Sequence, residues 1–229
     1  MLLTFQKRLL ITSVSTILLL QGCSLLPSNV AGNYTQTFKA FSALIYGYED
    51  YPITQSLVDQ IPYASMRMKI GKGPAGLMIL ESVDREESRY TWVSADDVFI
   101  TTQEGRIIRA QGLTNNLTGS FSSEPSFREI LDNKYSQGEY SRYISLDNPE
   151  VYEMKLKVSY TKSKVEDVFI LGQRKALLLI EERIENSYIR WKHTNKYWVD
   201  QKTGFVWQSI QEIAPNLPPI LIQITKKPS

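Results

Sequence analysis

The chain of 229 residues holds a single cysteine and a single histidine. One cysteine excludes an intrachain disulfide and a multi-cysteine metal site, and one histidine excludes a paired-His zinc site. An excess of charge of one sign is lacking too. Lys and Arg number 26 against 24 Asp and Glu, for a formal net charge of +2. That balance provides no field for steering a polyanion, so nucleic acid is excluded as a partner. No apolar run approaches the ~20 residues a membrane-spanning helix needs. There is no internal repeat and no low-complexity tract. The composition, 42% hydrophobic and 22% charged, excludes a disordered chain and a polytopic membrane protein.

What the sequence does contain begins at its N-terminus. Lys7 and Arg8 precede an apolar stretch from Leu9 to Leu20. Such a stretch spans only about 18 Å at ~1.5 Å per helical residue, short of the ~30 Å hydrocarbon core. Residues 1–22 therefore read as a signal peptide that is removed, and not as a membrane span. The following Leu20-Gln21-Gly22-Cys23 resembles the bacterial lipobox. The resemblance implies that Cys23 becomes the mature N-terminus, with diacylglycerol on its sulfur and an acyl chain such as palmitate on its amine. Each buried methylene contributes ~0.8 kcal/mol, and two or more chains anchor stably. Ser24 in place of Asp implies sorting to the periplasmic face of the outer membrane. As a thioether, Cys23 is unavailable as nucleophile, metal ligand or redox centre.

Removing residues 1–22 takes away two basic groups and no acid, which leaves 24 of each sign. Residues 23–32, with Pro27 and Gly32, read as a lipid-anchored tether reaching about 30 Å at ~3.3 to 3.6 Å per residue. Residues 33–229 read as one β-rich periplasmic domain. It opens with an amphipathic helix: Asn33 as N-cap, then Tyr34, Phe38, Phe41, Ile45 and Tyr48 at helical spacing. The helix lacks a Lys/Arg-rich polar face, so its aromatic stripe is expected to pack on the core.

After Pro52 and Pro62 the period changes to two. Met66, Met68 and Ile70 alternate with polar residues, and strands are predicted at 76–84, 88–94, 98–103 and 105–111. Gly, Asp and Glu between them predict tight turns and an antiparallel meander. Residues 113–149, rich in Asn, Ser, Gly and Asp, read as a long connection with one short helix at Phe127, Ile130 and Leu131. Tyr152, Met154, Leu156, Val158 and Tyr160 then alternate with polar residues, and further strands are predicted at 166–171, 175–185, 187–199, 204–213 and 220–226. The predicted class is mainly β: roughly ten strands in an antiparallel curved sheet, half-barrel or sandwich-like, since large flat sheets are unfavourable.

Several chemistries are tested by these residues and rejected. Gly71 to Gly76 matches G-x-G-x-x-G, but a strand and not a helix is predicted next, so it reads as a hairpin turn. Ser159 to Lys162 matches S-x-x-K on a strand, where Ser and Lys fall on opposite faces instead of one helical turn apart. His193 lies in a polar stretch and is expected to be an exposed strand residue. Asp84, Glu86, Glu87, Asp96, Asp97, Glu181, Glu182 and Glu185 could supply the pair of acids that cleaves glycosides, but they read mostly as turn or wet-face residues. Trp92, Trp191, Trp198 and Trp207 fall in predicted strands, as core side chains or, alternatively, platforms for sugar rings.

Two stretches, Trp92 to Leu113 (WVSADDVFITTQEGRIIRAQGL) and Tyr197 to Ser209 (YWVDQKTGFVWQS), resemble the group 4 capsule polysaccharide lipoprotein family of the GfcB/YjbF type. The matching positions are Trp92, Ser94, Asp96, Thr102, Gly105, Arg106, Ile107, Gly112 and Leu113, then Trp198, Val199, Asp200, Gly204, Val206 and Trp207. Asp97 departs from the family's usual Gly, which implies a less strained turn there. The resemblance implies an outer-membrane lipoprotein that assists assembly or export of a capsule or exopolysaccharide. Its partners would be the membrane, through the lipid, and either the polymer or an export protein. It brings no catalytic residue, metal or cofactor, and marks Trp92, Asp96, Arg106, Trp198, Asp200 and Trp207 as candidate surface or structural residues. Two alternatives stay open: a lipid or lipoprotein carrier, which needs an apolar cavity of roughly several hundred Å³, and a polysaccharide-modifying enzyme, which needs two carboxylates across a cleft.

Overall fold

A computed structural model describes residue 50 and residues 52–133 and 139–228. Cys23, the tether and the helix expected from Asn33 lie outside the described residues. Helix α1 (Gln55–Gln60), capped by the Thr54 side chain, leads into the strands β1 (Ser65–Ile70), β2 (Ala75–Asp84), β3 (Arg89–Ser94), β4 (Phe99–Gln103) and β5 (Arg106–Gln111). Next come β6 (Leu117–Ser122), helix α2 (Phe127–Leu131) and β7 (Tyr140–Asp147). The chain ends with β8 (Glu150–Ile170), β9 (Gln173–Asn186), β10 (Trp191–Val199), β11 (Val206–Gln211) and β12 (Ile220–Lys226).

Side-chain parity explains why these segments join one sheet. In β7, Arg142, Ile144 and Leu146 are buried while Tyr143 and Asp147 are exposed. In β8, Leu156 and Val158 are buried between exposed Lys155 and Lys157. That is the period of two expected of strands with one packed face. The twelve strands form a single antiparallel sheet in the order β5-β4-β3-β2-β1-β12-β11-β10-β9-β8-β7-β6. β12 pairs with β1, with Met68 opposite Ile222, and this joins the two halves of the chain. The outermost strands, β5 and β6, are neighbours in sequence and approach each other, so the sheet is a nearly closed barrel. Twist accumulated over twelve strands favours such closure over a flat sheet.

The edge of β5 is satisfied from the barrel interior. Gln211 of β11 accepts from the Ile107 amide at 2.9 Å and donates to the Gly105 carbonyl at 2.9 Å. A side-chain amide thereby stands in for a missing strand, one way of blunting an exposed edge. The main core joins Met66, Met78, Trp92, Ile100, Leu156, Ile184 and Ile220. A second cluster lies on the opposite face of the sheet. There the far end of the β8–β9 hairpin buries Val168, Ile170, Leu177 and Leu179 against Trp198.

The segment 113–149 is not the long connection expected; it contributes two strands and a capped helix. β6 reads Leu-Thr-Gly-Ser-Phe-Ser with only Leu117 buried, so an edge strand with little apolar content left no alternation to detect. The stretch after Tyr160 is also no gap, because β8 runs unbroken through polar residues 161–164. A shift in register between Lys162 and Val165 leaves the buried positions even-numbered but takes them from the cluster of Leu156 and Val158 to that of Val168 and Ile170. Gly71 to Pro74 forms the β1–β2 turn, and the next residue starts a strand.

Candidate functional site

Three connections, β2–β3, β4–β5 and β10–β11, meet the start of α2 and the end of β12 around a cleft of about 290 Å³. Its floor includes Trp92, which is 1% exposed and whose indole Nε1 donates to Thr102 Oγ1 at 3.1 Å. Tyr90 and Phe205 are half-buried aromatic walls, while Glu104, Arg128 and Lys227 are exposed at the mouth. The Lys227 ammonium sits 4.5 Å from the centre of the Phe205 ring. Partial burial pushes the Glu104 carboxyl above its ordinary value, against the opposing pull of Arg106, whose Nη1 lies 3.8 Å away.

Backbone shape keeps the cleft open. Gly105 has φ +85°, and a Cβ there would lie 2.6 Å from Val206 Cβ. Gly204 has φ +75°, and its Cβ would lie 3.1 Å from the Arg128 backbone. Asp200 builds the β10–β11 turn between them. Its carboxylate accepts from the amides of Lys202 and Thr203, each at 2.9 Å, and from Thr203 Oγ1 at 3.0 Å. Burial would raise this carboxyl, but those donors hold it below its ordinary range.

Phe127 links the cleft to a buried ionic cluster inside the barrel. The Ser126–Glu129 capping box starts α2 and places the Phe127 ring 4.7 Å from Tyr197 and 4.1 Å from the guanidinium of Arg106. Glu182, fully buried, accepts from Arg142 at 2.6 Å and 3.1 Å, from Asn195 at 2.8 Å, and from Tyr160 at 2.7 Å. Arg142 also binds Glu124 through Nε at 2.7 Å and through Nη2. Arg106 Nε donates to the Tyr160 hydroxyl at 3.2 Å, and its Nη2 donates to the Pro125 carbonyl at 3.0 Å. Two guanidinium groups thus balance two carboxylates. Burial opposes charge on Glu182, yet Arg142 and then Arg106 outweigh it and hold the carboxyl at about 2. Burial pushes the Tyr160 and Tyr197 hydroxyls well up, which keeps them neutral donors.

The two motif segments converge here. Trp92, Thr102 and Gly105 from the first, with Gly204 and Val206 from the second, line the cleft, and Arg106 lies directly behind it. A separate group staples the β3–β4 turn: Ser94 Oγ donates to Asp96 at 2.6 Å, and Gly112 leaves room for the Asp97 carbonyl, 2.8 Å from where its Cβ would lie. Asp97 itself has φ +60°. The turn therefore keeps the left-handed conformation that a glycine adopts freely, and the relief expected from replacing that glycine does not occur. Trp198 points to the opposite face of the sheet, where its Nε1 donates to Glu166 at 2.8 Å. Trp207 is half-buried beneath the Lys175 ammonium at 3.9 Å.

Two further expectations are corrected. His193 is not exposed; its ring is mostly buried, with Nδ1 2.7 Å from Glu212 and Nε2 enclosed without a partner. Glu182 is not on a wet face but inside the barrel, at the inward parity of Ile180 and Ile184. The sequence reading missed Arg142, Glu124, Tyr197 and the cleft residues Glu104, Phe205 and Lys227. The available signal was a charged residue at an inward position of an otherwise apolar alternation, as in Arg142-x-Ile144-x-Leu146. Among the described residues no group of His, Cys, Asp and Glu is arranged to hold a metal ion.

Comparison with known proteins gives matches over nearly all of these elements. The family model described as group 4 capsule polysaccharide lipoprotein gfcB, YjbF matches residues 38–225. The uncharacterized lipoprotein GfcB of Escherichia coli is 22% identical over 187 residues, covering 81% of this chain and 86% of that protein. The uncharacterized lipoprotein YjbF of Escherichia coli is 22% identical over 214 residues, covering 91% and 93% respectively. The crystal structure of the hypothetical lipoprotein YmcC from Escherichia coli superposes with a TM-score of 0.68 at 20% identity, over 83% of this chain and 95% of that one, and shares the fold.

Proposed function

The chain belongs to the group 4 capsule polysaccharide lipoprotein family, and from that membership we propose that it assists assembly or export of a capsule or exopolysaccharide as a non-enzymatic binding or scaffold module. Lipid on Cys23 holds it at the periplasmic face of the outer membrane. The observation that carries this reading is the meeting of two motif segments, about a hundred residues apart in sequence, around one open cleft.

The cleft favours binding over catalysis. Glu104 is the one carboxylate among its lining residues, whereas glycoside cleavage uses two acids flanking the scissile bond. Glu124 and Glu182 are buried, matched to arginines, and not among the residues that line the cleft. The barrel interior disfavours the carrier alternative. The space between Arg142, Leu156 and Trp191 amounts to about 10 Å³, and the larger hollow of about 700 Å³ beside Tyr140, Met154 and Tyr188 is lined also by Glu139, Lys155, Lys157 and Glu185, charges ill suited to acyl chains.

Cell-surface and secreted polymer in wild type, a deletion strain, and a deletion strain expressing Cys23→Ser at equal level tests the reading. Polymer lost in the deletion and not restored by Cys23→Ser supports an export component that needs its anchor. Polymer unchanged in the deletion, under conditions where the polymer is made, overturns it.

A further inference from the structure

Resting on the reading of the cleft as a binding face, we propose that its ligand is an acidic oligosaccharide, with a sugar carboxylate taken by Lys227 and a ring face laid against Tyr90. Lys227 is the chemical reason for an acid. Its ammonium is held over the Phe205 ring at 4.5 Å, and no carboxylate pairs with it among the described residues. Asp200, which it feels electrostatically, already accepts three hydrogen bonds from its own turn. An aromatic face holds a cation without neutralising it, so Lys227 presents a positive charge at the mouth of the cleft. Arg128, at the same mouth, is by contrast tied to the Lys202 carbonyl and to Asp132 at 3.4 Å.

The rest of the cleft suits a saccharide more than a bare anion. Tyr90 offers a half-buried ring supported by Trp92, with centroids 6.4 Å apart. Exposed Ser88 and Thr203 supply hydroxyls, and Glu104 at the mouth supplies an acceptor for sugar hydroxyls. About 290 Å³ is near the lower end of the roughly 300 to 1,000 Å³ of small-molecule sites, which matches a short stretch of sugar and not a long one.

Calorimetric titration of the detergent-solubilised full chain tests this with tetragalacturonate, tetraglucuronate and fully methyl-esterified tetragalacturonate. The expected result is binding of at least one free acid, at least tenfold weaker binding of the ester, and a similar loss in Lys227→Met and Tyr90→Ala. Lys192→Met, at an exposed position on β10, should bind as wild type. Equal binding of acid and ester, no effect of Lys227→Met, or no binding of any probe overturns the inference. Polymer output separates the two readings: if the deletion loses polymer but Lys227→Met does not, the family role stands and this ligand assignment fails.

Discussion

Arg142 on β7 and Glu182 on β9 stand two strands apart, yet their side chains meet inside the barrel through hydrogen bonds of 2.6 Å and 3.1 Å, both groups almost wholly out of water. β8 lies between them and adds the Tyr160 hydroxyl to the same carboxylate. Breaking a buried pair from one side leaves a bare charge and costs about 3 to 5 kcal/mol. Arg142→Met, which strands Glu124 and Glu182 together, should lower the thermal midpoint by on the order of 10 °C, read by circular dichroism. An unchanged midpoint would mean that water reaches the cluster.

The same cluster sets a pH dependence. The Glu182 carboxyl is held at about 2 in the folded protein, below its ordinary 4.5. A depressed carboxyl contributes stability above its unfolded value and loses it as pH falls towards the folded one. Wild type should therefore lose urea resistance between about pH 4.5 and 2 more steeply than Glu182→Gln, which has no proton to take up at that position. Parallel curves for the two proteins would refute the assignment.

Gly105 and Gly172 both adopt left-handed φ, at +85° and +79°, but only the first is crowded. Alanine at Gly172 meets nothing within 4 Å, so it should cost only about 1 to 2 kcal/mol for the backbone conformation. At Gly105 the added Cβ would strike Val206 at 2.6 Å, which adds about 1 to 3 kcal/mol of overpacking. Chemical denaturation of Gly105→Ala and Gly172→Ala measures the difference, and equal losses would argue against the close approach.

Asp200 supports the wall of the cleft and is not among the residues that line it. Asp200→Ala removes three hydrogen bonds from the turn that carries Thr203, Gly204 and Phe205, each contributing about 0.5 to 1.5 kcal/mol. The expected signature is faster hydrogen exchange at the Lys202 and Thr203 amides with the barrel core still protected. Unchanged exchange at those amides would show that the turn holds itself.

Much of the strand content was legible because neighbouring residues encode it. Met66, Met68 and Ile70 alternate with polar residues, as do Leu156 and Val158, and those runs became β1 and β8. β6 was illegible because an edge strand with one buried apolar residue, Leu117, has no pattern to show. The turn of Asp97 was misread for a different reason. A Cβ at Gly112, fifteen residues on, would lie 2.8 Å from the Asp97 carbonyl, so the left-handed conformation of Asp97 goes with a close approach that its neighbours in sequence do not encode.

From sequence by itself came the antiparallel β class and the family, together with the expectation of a lipobox at Cys23, all of which rest on local order and spacing along the chain. Only the tertiary structure decided that the sheet curls to near closure, that Arg106, Glu124, Arg142 and Glu182 neutralise one another, and that Lys227 stands over Phe205 beside a cleft. These are pairings between side chains up to 76 residues apart, as between Arg106 and Glu182. Alternation tells which face a residue takes, and the partner it meets there depends on how far the sheet has curled.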